Sequence, residues 1–284
     1  MVYKLPTRSR IEFVALKIGN INQMVDFYTK VVGLHLIKRN EDEAYLGISQ
    51  RKIFLSLHKI NHPSKNKNVA NMRSFSLILP DKKSLRAILV HISNLGIKIS
   101  KIKSNVYFDM FYLMDPEGNQ VALGISKFHH ALKNVKGAYL EAPSKDITLN
   151  NYLKGFKSKV NYLPPSTSFG WIRMSVVNLK RSVKFYHEQF GLDYQLNHDA
   201  TQAILMTNND HRQQLILDQV PALSSHYTNT LGLDYFDVKM FLPLEIARLA
   251  RHLDRDKIIC NYSQPNNFIF VSDPNGINII FSLL

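Results

Sequence analysis

The sequence predicts an α+β protein made of four similar βαβββ units arranged as two halves, and three observations carry that prediction. A helix-start motif, Asn20-Ile21-Asn22-Gln23-Met24-Val25-Asp26-Phe27-Tyr28 followed by Gly33-Leu34, returns as Asn178-Leu179-Lys180-Arg181-Ser182-Val183-Lys184-Phe185-Tyr186 followed by Gly191-Leu192. A turn motif, Asp115-Pro116-Glu117-Gly118, returns as Asp273-Pro274-Asn275-Gly276. Both repeats share one offset, 178 − 20 = 273 − 115 = 158 residues, which points to duplication of a whole half. Within each half, a strand, a helix and three further strands can be read twice.

The first unit opens with a strand over Ile11 to Ile18. Asn20 then caps a helix whose apolar residues Ile21, Met24, Val25, Tyr28, Val31 and Val32 keep helical spacing until Gly33 ends it. Short strands follow near His35 to Arg39, Glu43 to Ile48 and Lys52 to His58. The second unit has a strand over Arg73 to Leu79, Asp81 as a cap, and helix positions Leu85, Ile88, Leu89, Ile92 and Leu95 before Gly96. Its strands lie near Lys98 to Ser104, Val106 to Met114 and Asn119 to Ser126, so Asp115 to Gly118 is a hairpin turn, a structural job for Pro and Gly. The third unit spans Gly170 to Asp218, and the fourth Asp234 to Leu284 with Pro243 opening its helix. Phe27, Tyr28, Phe185 and Tyr186 fall on buried helix faces. The chain thus divides into a first module, 1–126, a connector, 127–168, and a second module, 169–284. The connector contains Pro143, Pro164, Pro165 and a short helix predicted around Asp146 to Phe156, with Tyr139, Leu140, Leu149, Tyr152 and Phe156 available to pack down.

Composition narrows the function classes. The 284 residues are 45% hydrophobic and 20% charged, with no apolar run near the ~18 residues of a membrane span. Met1 to Arg10 has no following apolar segment of the secretory kind, so a cytoplasmic location is expected. The single cysteine, Cys260, allows no intramolecular disulfide and reads as a small buried hydrophobe. Lys and Arg number 36 against 22 Asp and Glu, a net charge of +14 that attracts anions. These basic residues are spread through both halves without a nucleic-acid motif, so a solvated basic surface is expected in place of a polyanion site.

Four βαβββ units in two modules, with Phe-Tyr in the first helix, Gly-Leu after it and a terminal Asp-Pro-x-Gly turn, resemble the vicinal-oxygen-chelate (VOC) superfamily of glyoxalase I, bleomycin-resistance proteins and extradiol dioxygenases. The resemblance covers nearly the whole chain. The connector, with Asp146-Ile147-Thr148 before a short helix and Leu163-Pro164 before the next module, is similar to that of two-module catechol-2,3-dioxygenase-like proteins. The resemblance implies that each pair of units curls its mixed sheet into a cup, where a divalent cation, Fe(II), Mn, Ni or Zn, chelates oxygens of the substrate. The positions implied for the metal ligands are Phe13, Ser74 and Ala122 in the first module, and Trp171 and Ile280 in the second, with the middle position falling within Asp234 to Asp237. Asp237 can ligate a metal, but one carboxylate does not make a site that requires about three protein ligands. No metal cofactor is therefore expected; those cations enter only if displaced ligands hold them. His129 and His130 lie in the connector, His211 leads into a strand, and His58, His62, His187 and His226 fall near element ends without a readable partner.

Strand alternation places Phe13, Ala15, Lys17, Ser74, Ser76, Gln120 and Ala122 in the first expected cup, and Trp171, Arg173, Ser175, Asn278, Ile280 and Ser282 in the second. The second pairs the sole tryptophan with an arginine, which suits a flat anionic ligand. The alternative is that Trp171 and Phe13 fill their cups and Arg173 pairs with Asp237. The candidate ligand-binding residues are Trp171, Arg173, Asp237, Asn278 and Lys17; no catalytic residue is identified. The function expected is binding of a small aromatic or anionic molecule. Two alternatives stand beside it: a metal-dependent extradiol (catechol-2,3-) dioxygenase or glyoxalase-like lyase with displaced ligands, and polyanion or nucleic-acid binding through the basic surface. A small-molecule ligand is the expected partner, with no membrane or nucleic acid; a homodimer is left open.

Overall fold

A computed structural model describes residues 3–64, 68–127, 143–145, 147–207, 213–220, 224–225 and 229–284. The first unit comprises β1 (Arg10–Ile18), α1 (Ile21–Asp26), β2 (His35–Arg39), β3 (Glu43–Ser49) and β4 (Lys52–Lys59). The second comprises β5 (Asn71–Ile78), α2 (Lys82–Asn94), β6 (Lys101–Ser104), β7 (Phe108–Met114) and β8 (Gln120–Ser126). A connector helix, α3 (Leu149–Leu153), leads to the third unit: β9 (Ser168–Val176), α4 (Leu179–Phe190), β10 (Asp193–Leu196), β11 (Gln202–Met206) and β12 (Gln213–Gln219). The fourth is β13 (Gly232–Met240), α5 (Pro243–Arg255), β14 (Cys260–Ser263), β15 (Phe268–Ser272) and β16 (Asn278–Leu283). Tyr139, Leu140, Asp146, His129, His130, His211 and His226 lie outside the described residues.

The caps act as their residue types suggest: Asn20 accepts the Gln23 N–H at 3.1 Å and Asn178 accepts the Arg181 N–H at 2.9 Å. The two first helices nevertheless end differently. After Asp26 the chain widens into a π-helical turn over Phe27–Val31, and the Val32 N–H reaches back five residues to the Phe27 carbonyl. The Thr29 hydroxyl donates to the Val25 carbonyl at 2.7 Å, the acceptor that a regular helix reserves for the Thr29 N–H, and so loosens the turn. The connector helix is shorter than its predicted span, because Gly155, at φ +74°, turns the chain left-handed after Leu153 and Lys154.

The fold is α+β, with two eight-stranded mixed sheets, each made of two units. Their membership corrects the sequence reading. One sheet has the order β14-β15-β16-β13-β1-β4-β3-β2, joining the fourth unit to the first; the other, β10-β11-β12-β9-β5-β8-β7-β6, joins the third to the second. Trp171 and Arg173 therefore do not share a cup with Asn278, Ile280 and Asp237, and Lys17 and Phe13 do not share one with Ser74 and Ala122. The reason lies in how the two units of one half are tied together. The Tyr28 hydroxyl donates to Asp115 at 2.9 Å, and Glu117 accepts the N–H groups of Gly19 and Asn20 at 2.9 and 2.7 Å. The second half repeats this with Tyr186 on Asp273 at 3.1 Å and the Val177 N–H on Asn275 at 3.0 Å. The two Tyr–Asp bonds run through the interior and the others lie at its margin, leaving the edge of each unit's first strand to pair with the other half. β1 runs antiparallel to β13, and β5 antiparallel to β9.

One contiguous apolar core serves both sheets and includes Val14, Leu16, Ile18, Phe75, Leu77, Ile172, Met174, Phe236 and Phe281. Each such buried side chain contributes roughly 1.5 to 3 kcal/mol. The intervening residues of the same strands point the other way and line the cups. Among the described residues, no helix is long and apolar enough to cross a membrane.

Candidate functional site

In the sheet that joins the first and fourth units, alternation along β1 turns Phe13, Ala15 and Lys17 away from the core. Strand register then sets their neighbours. One row across the sheet reads Tyr45, Ser56, Ala15, Tyr235 and Asn278, and the next reads Glu43, His58 and Lys17. Ala15, between Ser56 and Tyr235 in this row, projects only a methyl group. Ser56 Oγ lies 3.0 Å from His58 Nε2, while His58 Nδ1 lies 2.9 Å from Asp234 Oδ2. Asp234 and Tyr235 are consecutive yet reach the same face. The register slips where Ala15 faces Tyr235 but Leu16 faces Leu233, leaving Asp234 as the extra residue of a bulge.

The electrostatics follow from depth. Burial pushes the Tyr235 hydroxyl well above its ordinary range, aided by Tyr45 and opposed by the nearby Ser56 hydroxyl, so it stays protonated. Burial pulls the Lys17 ammonium down, partly offset by Asp234. The Tyr235 ring stands 5.8 Å from that of His58 and 5.9 Å from that of Phe13. Of the residues anticipated for this function, Lys17 and Asn278 sit here, Asn278 accepting the Ser272 hydroxyl at 2.8 Å. Asp237 lies opposite Phe13 and is occupied by Lys239 at 2.7 Å and by the Ser282 hydroxyl. Burial raises its carboxyl and Lys239 lowers it.

The other cup holds Trp171 and Arg173. The Trp171 ring packs edge-on against Phe108 at 4.9 Å, within an apolar cluster that includes Met110, Tyr112, Ala122, Ile204 and Ile216. Arg173 forks onto Asp218 at 2.5 and 2.8 Å, and the Gln202 amide reaches the same carboxylate. The anticipated pairing of Arg173 with Asp237 is therefore overturned: β12 lies beside β9 and brings Asp218 within reach, while Asp237 belongs to the other sheet. The space left, about 80 Å³ and lined by Lys103, Phe108, Trp171 and Arg173 among others, is small beside the roughly 300 Å³ where ordinary ligand pockets begin.

The donor set does not fit a metal centre of the family type. Phe13, Asp237 and Ile280 stand together in one cup, and Ser74, Ala122 and Trp171 in the other. Only Asp237 among them carries a strong ligand group, and it is already committed. Among the described residues no group of three or more His, Cys, Asp or Glu converges to hold an ion. The sequence reading missed Ser56, His58, Asp234 and Tyr235 as a group. The Ser56-x-His58 spacing, which places both on one strand face, was the available signal; their partner lies 176 residues from His58.

Comparison with known proteins adds the following. Residues 10–123 match the model of the Glyoxalase/Bleomycin resistance protein/Dioxygenase superfamily. A Bacillus subtilis (strain 168) protein named catechol-2,3-dioxygenase is 24% identical over 284 residues, covering 96% of this chain and 97% of that one. The crystal structure of a candidate dioxygenase from Bacillus subtilis subsp. subtilis str. 168 matches with a TM-score of 0.69 at 12% identity, over 99% of this chain and 86% of that one. Glyoxalase I from Zea mays matches with a TM-score of 0.62 at 15% identity, over 97% and 92%. At such identities the two structures speak for the fold alone.

Proposed function

We propose that this chain, whose residues 10–123 belong to the Glyoxalase/Bleomycin resistance protein/Dioxygenase superfamily and which has that superfamily's two-module fold, binds a small ring-bearing acid or acidic hydroxy compound in the Lys17 cup without a metal of the family type. The observation that carries this reading is the convergence of Lys17, Ser56, His58, Asp234 and Tyr235 on one face beside the Phe13 ring. A cation and a neutral hydroxyl donor suit a ligand oxygen bearing negative charge, and an aromatic wall suits a ring. The catechol of the Bacillus relative's name supplies the size carried over: one ring with adjoining hydroxyls. Its oxygen chemistry is not carried over, because Phe13, Ala122, Trp171 and Ile280 offer no donors to an iron, manganese, nickel or zinc ion.

Calorimetric titration of chelator-treated protein with catechol and with benzoate tests the reading. Saturable binding that Lys17→Met weakens tenfold or more is the expected result. Absence of binding, or binding indifferent to Lys17→Met, overturns it; ring cleavage on addition of Fe(II) would replace it with the metal-dependent alternative.

A further inference from the structure

Strand alternation sorts β7 into two faces: Phe111 and Leu113 enter the core, while Phe108, Met110 and Tyr112 face the cup of Trp171 and Arg173. Tyr112 and Trp171 are 7% and 8% exposed, and among the described residues neither the Tyr112 hydroxyl nor the Trp171 indole N–H has a hydrogen-bond acceptor. Buried tyrosine and tryptophan polar atoms ordinarily find a partner, so two such donors lining one space mark a place for an acceptor. Lys103 reaches the same space from the edge strand β6, and among the described residues no carboxylate pairs with it. Asn105 turns its side-chain oxygen to the N–H groups of Tyr107 and Phe108, both at 2.8 Å, which leaves its amide hydrogens for the space. Charge points the same way. Lys103 and Arg173 stand against one carboxylate, Asp218, which Arg173 and Gln202 already hold. Burial pulls the Lys103 ammonium down, Arg173 and Lys101 add to this, and Asp218 offsets only part of it. In the other cup the counterparts 158 residues away, Phe270 for Tyr112, Phe13 for Trp171 and Ala15 for Arg173, carry no polar side-chain atom.

We propose that this space is a site for a compact monovalent carboxylate, no larger than acetate, with Lys103 as its counter-charge and Tyr112 and Trp171 as hydrogen-bond donors. The size follows from the volume of about 80 Å³, against roughly 30 Å³ for each water-sized group, which excludes a ring. The charge and shape follow from the walls. The Trp171 and Phe108 rings, Ile204 and Ile216 strip water from an ion, so a singly charged planar group is favoured over a sulfate or phosphate dianion, whose desolvation costs more. Arg173 stays with Asp218 and acts on the ion through its charge alone. The site is separate from the Lys17 cup, because the two lie in different sheets.

The probes are sodium formate and sodium acetate, titrated into the full chain at constant ionic strength, with the emission of Trp171, the sole tryptophan, as the signal. Both should give a saturable change and raise the unfolding midpoint. Sodium chloride, and benzoate with the same carboxylate on a ring, should leave the emission unchanged. Lys103→Gln should weaken formate binding about tenfold or more, and Tyr112→Phe about threefold to tenfold, the scales of a charged and of a neutral hydrogen bond. Lys17→Met should leave the formate curve as it is, since Lys17 belongs to the other sheet. If Tyr112→Phe does not fold, Lys103→Gln, on the edge strand, reads the same site. Absence of a saturable change, an equal change with chloride or benzoate, or a formate affinity untouched by Lys103→Gln overturns the site. Loss of the formate response in Lys17→Met overturns it as well, by placing the carboxylate in the other cup.

Discussion

Across the sheet of the Lys17 cup one inward row reads Tyr45, Ser56, Ala15, Tyr235 and Asn278; the same row of the other cup reads Ile204, Ile216, Arg173, Ser74 and Gln120. The next row contrasts Glu43, His58 and Lys17 with Gln202, Asp218 and Ser175. Where Ala15 projects only a methyl group, its repeat counterpart Arg173 reaches across to Asp218 beside an apolar cluster, leaving a space of about 80 Å³. The frame beneath is shared, since Tyr28 on Asp115 and Tyr186 on Asp273 are the same bond 158 residues apart (186 − 28 = 273 − 115). A duplicated frame can thus carry one polar cup and one narrow, largely apolar cup, because the inward residues contribute little to the core that holds both sheets.

The contrast can be broken most directly through stability. Asp218→Ala strands the Arg173 guanidinium in a mostly buried site and should cost about 2 to 3 kcal/mol. Asp234→Asn, in the other cup, should cost under about 1 kcal/mol, since the asparagine oxygen can still accept from His58 Nδ1. Denaturant unfolding compares the two; equal costs would mean that the cups do not differ in the way their charges are held.

Ligand affinity should separate the cups next. Lys17→Met removes the cation beside the proposed ligand oxygen and should weaken benzoate binding by about 1.5 to 3 kcal/mol, the scale of a charge-assisted hydrogen bond. Arg173→Met should leave that affinity unchanged in calorimetry. The same Lys17 variant carries a pH signature. Burial holds the Lys17 ammonium below its ordinary 10.5, so the folded chain releases this proton before the unfolded chain does. Folding stability gains with rising pH through the window from the depressed value up to 10.5, and that gain should be absent from Lys17→Met.

Smaller effects sharpen the picture. Fe(II), Mn(II), Ni(II) and Zn(II) should each leave the unfolding midpoint within about 1 °C of that of chelator-treated protein, because among the described residues no ligand set rewards binding to the folded state. Stoichiometric metal with a raised midpoint would show that both cups had been misread. The smallest expected effect is optical: the sole tryptophan, Trp171, lies in the other cup, so catechol binding beside Lys17 should leave its emission almost unchanged. Quenching would place the ligand against Trp171 instead.

What neighbouring residues decide is legible in the sequence. Asn20 and Asn178 cap their helices, Gly33 and Gly191 end the turns that follow, Phe13, Ala15 and Lys17 alternate away from the core, and the 158-residue repeat marks out the units. All of these follow from local geometry and a two- or 3.6-residue period. Long-range pairing sets which first strands meet, and hence that Ala15 lies opposite Tyr235 in the row of Asn278 while Arg173 lies opposite Ser74. Four units with similar edges leave several sheet orders locally equivalent, and the choice among them rests on burial and on interior ties such as Tyr28 to Asp115, summed over the whole chain. The place of Asp234 was hidden for a related reason: a one-residue bulge reverses the face of a side chain, and its position depends on register against β1, a strand more than two hundred residues away in the sequence.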